Sequence, residues 1–210
     1  CPPPLLDEDM FPDTGGYFDE KLKVASWCAL VVLVTTVAML VTYVVLPANI
    51  TSRHYLTTTP LVGFIFLCVA YIIPLGGSPN LCFNEITPND NHSDSMCAAT
   101  GILVISGSWV VMLSCFFRSF SLYLVVFWER NLGKKYMYTS LFCIAVGSTT
   151  FLLLAFYLSG CSYQLGKVCY IKPNRSLATF WAPLLIVAFL TFIFQTWTVV
   201  YCIYIVLRQI

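Results

Sequence analysis

Hydrophobic residues in this chain do not alternate with polar ones. They come in long runs separated by short polar stretches. A helix needs roughly 20 apolar residues to cross bilayer hydrocarbon. Five runs meet that length, at about 24–46, 56–77, 98–128, 136–159 and 177–207. Backbone groups in lipid must bond within their own segment, so each run is predicted to be a helix. The short alternating strands of a barrel are not read anywhere, and no internal repeat is evident. The predicted fold class is an all-α membrane protein, with residues 1–23 as a polar linker and 24–210 as a transmembrane helical domain.

Composition points the same way. The 210 residues are 59% hydrophobic and 10% charged, against about 25% charged in soluble domains. The net charge of +1 leaves no nucleic-acid footprint. The chain begins with Cys1 and stops just after an apolar run, so it is read as part of a longer protein. Its acidic, proline-rich first twenty residues do not read as a signal peptide.

Sidedness is not decided by the basic residues. With the N-terminus outside, Arg53, Arg130, Lys134, Lys135 and Arg208 fall inside, and Lys21, Lys23, Lys167, Lys172 and Arg175 fall outside. The ten cysteines break the tie. Cys28, Cys68, Cys115, Cys143 and Cys202 lie within spans, where they read as small apolar fillers. Cys1, Cys82, Cys97, Cys161 and Cys169 all fall on one side, which marks that side as the oxidising one. The sequons at Asn91 and Asn174 share it as glycosylation candidates, while Asn49 lies opposite. The N-terminus is therefore expected outside.

The spans hold little that could do chemistry. His54 and His92 lie in loops, and no Asp or Glu falls inside a span. Intramembrane ionisable residues are the usual pointers to transport or catalysis. No enzyme, cofactor or metal is expected. Arg118 is the exception, about 20 residues into span three and so roughly 30 Å down the helix. It reads as snorkelling to headgroups or as a partner contact on the inner face, together with Arg130, Lys134 and Lys135. "ISGS" at 105–108 allows close helix approach. Pro74 and Pro183 can kink their spans, and Trp109 and Trp197 are expected in the bundle core.

Certain residues carry a family likeness. A cysteine-bearing linker, "CPPPLLDEDMFPDTGGYFDE", precedes span one. Span two opens with "RHYLTTTPLVGFIFLCVAYI", holding Arg53, Tyr55 and Pro60. Cys97 precedes span three, which carries Trp109 and "LS" at 113–114. The loop into span five reads "VCYIKPNRSLATFWAPL", with Ala182-Pro183. In these features the linker and spans one to five resemble the Frizzled and Smoothened (class F) heptahelical receptors. Span four departs from the pattern with "CIAVGSTTFLL", lacking the expected Trp and Pro, which implies a divergent relative of the kind a fungus or protist would carry.

The resemblance implies that five helices of a seven-helix bundle are in view. It pairs Cys97 with Cys169, pinning the loop over the mouth of the bundle, and Cys1 with Cys82. Sequence alone leaves other pairings open, a Cys161–Cys169 hairpin first among them. The expected function is that of a multi-pass receptor of the plasma membrane. It would relay an extracellular ligand, by helix rearrangement, to a heterotrimeric G protein or cytoplasmic scaffold. The alternatives are a secretin, adhesion or cyclic-AMP-type receptor, or a carrier or channel subunit. A carrier needs a polar path, for which Thr35, Thr36, Thr42, Ser106, Ser108, Gln195 and Thr196 are the candidates.

Overall fold

A computed structural model describes residues 17–46, 55–77, 83, 88–128, 133–165 and 167–209. In chain order the elements are α1 (Tyr17–Val45), α2 (Tyr55–Gly76), α3 (Ser95–Trp128), α4 (Lys134–Leu158), β1 (Cys161–Leu165) and β2 (Val168–Ile171). A π-helical turn (Leu177–Trp181) then leads into α5 (Ala182–Gln209). Five helical segments are long and apolar enough to cross a membrane, and the chain is a multi-pass membrane protein. α1 reaches back to Tyr17, into the segment expected to be linker, because a helix once nucleated propagates at little cost.

α3 is the hub. It packs against α2, α4, α5 and both strands. Its closest neighbour is α2, and two glycines explain how close. A Cβ on Gly63 would lie 2.9 Å from the Gly107 carbonyl oxygen, and one on Gly107 would lie 2.9 Å from that of Gly63. Any side chain at either position would push the helices apart. Close backbone approach of this kind substitutes for the hydrophobic drive that lipid removes.

Farther down α3 the packing is aromatic. Phe116, Phe120 and Tyr123 meet Phe194 of α5, and Phe127 stacks with Tyr201 at 4.4 Å between centroids. Phe194, Thr198 and Tyr201 recur at helical spacing, which makes one stripe of α5 face α3. Trp197 lies off that stripe and is 60% exposed, so the expectation that it fills the core is corrected. Trp109 does fill it: fully buried, it stacks on Phe151 at 3.9 Å and meets Phe180 edge-on.

Two further readings change. The segment after α4 is not merely a loop but an antiparallel hairpin, with Cys161 opposite Ile171 and Tyr163 opposite Cys169. Pro183 lies within the helical span Leu177–Arg208, and the irregularity beside it is a π-helical turn. It is the second residue of α5, directly after that turn, so its missing N–H falls where the bonding changes from the π to the α pattern.

Candidate functional site

The site grows from the start of α3. Asp94 precedes this helix, and its Oδ1 accepts the Met96 N–H at 3.1 Å, capping the first turn. Its Oδ2 accepts a hydrogen bond from the hydroxyl of Tyr163 in β1 at 2.6 Å. Tyr163 is fully buried. Burial and the bond to the Asp94 carboxylate both push its phenol up, so it remains a donor. One carboxylate thus starts a helix and holds the hairpin upon it.

The segment before α3 also docks to the hairpin edge. Asp90 bridges Ser162, the Asn91 N–H donates to the Cys161 carbonyl at 3.1 Å, and the Tyr163 N–H donates to the Asn89 carbonyl at 3.3 Å. Asp90 Oδ1 accepts the N–H groups of His92 and Ser93, and Oδ2 takes Lys172 Nζ at 3.2 Å. Burial opposes the Asp90 charge, but the His92 N–H, the Lys172 ammonium and the Ser93 N–H outweigh it. The carboxyl is held below its usual range.

Beneath this edge Cys97 of α3 is disulfide-bonded to Cys169 of β2, with their Cα atoms 5.1 Å apart. The Cys169 N–H donates to Thr100 Oγ1 at 3.3 Å, one turn along the same helix. Tyr170 and Tyr71 of α2 share a short hydroxyl–hydroxyl bond. Ser159 and Thr179 bond at 2.7 Å, tying the end of α4 to the π-helical turn. Gly160, with φ of +70°, turns the chain from α4 into β1. The hairpin is therefore fastened to α2 and α3, while α4 and the π-helical turn that flank it are tied to each other.

Cys161 is buried and free in this arrangement. It lies opposite Ile171, not Cys169, so a cross-strand bond to Cys169 would need a shift of register. Its side chain rests on Gly101, where a Cβ would approach the sulfur to 3.1 Å. Burial pushes its thiol up to about 12 against a smaller pull from Lys172, so it stays protonated and a poor nucleophile toward the adjacent disulfide. Cys1 and Cys82 lie outside the described residues. Asn174 is exposed in the turn after β2, and half-buried Asn91 accepts the Cys161 N–H through its Oδ1.

The opposite end of the bundle gathers the basic candidates. The Tyr136 hydroxyl donates to the Phe117 carbonyl at 3.0 Å, which brings the first turn of α4 alongside Arg118 of α3. Arg118, Lys134 and Lys135 are all exposed there. Arg130 lies outside the described residues. Tyr55 and Ser140 bond at 2.8 Å, and Ser119 donates to Gln195 Oε1 at 2.8 Å.

The polar residues weighed as a transport path are mostly committed to their own helices. Thr35, Thr36, Thr42, Ser106 and Ser108 each donate to a carbonyl one turn back. Between the two ends, Trp109 Nε1 is buried with no hydrogen-bond partner among the described residues.

Sequence reasoning missed the hairpin and its polar ties. Gly166 between two short segments rich in β-formers is the one local hint of the turn, and Asp94 ahead of span three is an N-cap signal. Nothing local announces the Tyr163–Asp94 or Lys172–Asp90 pairs, whose partners lie 69 and 82 residues apart.

No protein-family model matches the chain. Among curated proteins, the G protein-coupled receptor gprM of Aspergillus fumigatus is 35% identical over 245 aligned residues, which take in all of this chain and 48% of that protein. The chain thus spans about half the length of the curated relative it matches. That relative is a fungal receptor of the G protein-coupled kind, and its name carries no assignment to the Frizzled and Smoothened class.

Proposed function

We propose that these five helices belong to a heptahelical G protein-coupled receptor of the plasma membrane, with the hairpin end outside. The observation that carries the reading is the hairpin fastened over α3 by Cys97–Cys169, in a chain whose whole length aligns with a fungal receptor. A covered, cross-linked outer end suits a protein that receives a ligand there. An aromatic, sparsely bonded opposite end suits helices that change packing and present the change to a partner. The work is conformational, with no bond made or broken. Arg118, beside the start of α4, is the proposed contact for a G protein. Its planar guanidinium forks onto carboxylates or carbonyls in a way lysine does not copy.

The finer kinship with Frizzled and Smoothened receptors is supported by Ala182-Pro183 at the start of α5 and by the loop disulfide. A Cys1–Cys82 bond, found by peptide mapping of non-reduced protein, would strengthen that kinship. Glycans are proposed at Asn174 and Asn91, on the same side.

Nucleotide exchange tests the receptor reading. Full-length protein in lipid nanodiscs is expected to accelerate guanine-nucleotide exchange on a fungal heterotrimeric G protein. Arg118→Lys should cut that acceleration, and Tyr157→Phe, at a 90% exposed position, should not. Failure of the parent to accelerate exchange on any such G protein would sink the reading.

A further inference from the structure

At the end opposite the hairpin lies a cavity of about 760 Å³ between α1, α2 and α4, with Val110 of α3 at its floor. Ligand sites commonly measure about 300–1,000 Å³. Leu40, Val62, Leu141 and Ala145 form its apolar walls. Thr58 and Thr59 also line it, but their hydroxyls donate to the Tyr55 carbonyl at 3.0 and 2.7 Å, which leaves no donor for an occupant. Among the described lining residues the remaining polar groups are at the rim, on Tyr43 and Tyr55. Such aromatic hydroxyls sit at headgroup level in membrane proteins. The lining lies in the last turns of α1 and the first turns of α2 and α4, so the cavity has the depth of one leaflet's acyl chains.

Charge then selects among lipids. Met137, Leu141 and Ile144 line the cavity from α4. Lys134 stands three residues before Met137 and seven before Leu141, so it continues the same helical stripe out to the membrane surface. It is exposed, and the first turn of α4 holds no acidic residue. A sterol brings this cation no counter-charge, and in a zwitterionic lipid the choline offsets the phosphate, so a net anionic headgroup answers it best. We infer that the groove holds one acyl chain of an anionic glycerophospholipid, with its phosphate at Lys134. The assignment to the inner leaflet rests on the proposed orientation. The groove itself does not.

Native mass spectrometry of the full-length protein, from nanodiscs holding phosphatidylserine and phosphatidylcholine of matched chain length, tests this. One phosphatidylserine should survive delipidation in preference to phosphatidylcholine. Lys134→Gln should lower that preference about five-fold, the worth of one surface charge. Lys135→Gln, off the stripe, should change it less than two-fold. Ala145→Phe should fill the groove and abolish retention of either lipid, with an unchanged melting temperature. Leu141→Trp serves the same end if that variant misfolds. Equal losses at Lys134 and Lys135 would mean diffuse surface attraction and overturn the site. So would a parent that retains no lipid, as expected were another segment of the protein to occupy the groove. None of these readouts uses a G protein, so a failed exchange assay leaves the groove untouched. An impermeant label at Lys135 on intact cells reports separately on the leaflet.

Discussion

The two ends of the bundle are held by different forces. At the hairpin end, a disulfide, an ion pair and hydrogen bonds to Asp94, Thr100 and Tyr71 fix one small sheet on α2, α3 and the segment that leads into α3. These bonds are directional, and each has one good geometry. At the opposite end α3 and α5 meet through rings, with Ser119–Gln195 as a lone side-chain bond across that contact among the described residues. Ring contacts tolerate offset, stacked and edge-on arrangements of similar energy. One end is held by bonds that fix a single geometry, the other by contacts that admit several.

Breaking the disulfide should cost most. Cys97→Ser, with Cys169→Ser, removes a link across 72 residues and should destabilise the protein by about 2–5 kcal/mol. Thermal unfolding of the detergent-solubilised protein measures the loss, and hydrogen exchange should place the loosening in β1 and β2. An equal loosening of α5 below Phe194 would erase the contrast between the ends. Gln195→Leu should cost less, about 0.6–1.7 kcal/mol, the span measured for hydrogen bonds between membrane helices. Its larger effect should be on the balance between packings, seen as altered basal nucleotide exchange. A change in stability with no change in exchange would argue that this end is as fixed as the other.

The smallest expected effect sharpens the comparison by pH. The Asp90 carboxyl is held low in the folded state, so its contribution is complete above the ordinary carboxylate range and is lost as pH falls through its depressed value. Both partners are partly exposed, which limits the Asp90–Lys172 pair to about 0.2–1 kcal/mol. Below about pH 4, wild type should lose this increment, and Asp90→Asn should show a flatter acid limb in thermal unfolding. Parallel acid limbs would remove Asp90 from the set of ties.

What was legible in sequence follows from how far each signal reaches. Span-length apolar runs announce helices because lipid forbids an unpaired backbone, and all five spans correspond to helices in the structure. Depth was legible too, since rise per residue is fixed, and it placed Arg118 near the end opposite the hairpin. Direction around a helix was not. Trp109 and Trp197 are the same side chain in two apolar spans, yet Trp109 is fully buried and Trp197 is 60% exposed. The hairpin is too short and too flanked by apolar text to show its alternation. Its ties join residues that only the fold brings together.

The Cys97 and Cys169 side chains are both fully shielded from solvent. Disulfide reduction requires a thiolate to arrive at one sulfur from outside. In the closed molecule no reductant can make that approach, so the hairpin must first lift. The rate at which a mild thiol cleaves this bond is then a clock for lifting, and it needs no ligand and no downstream partner to run.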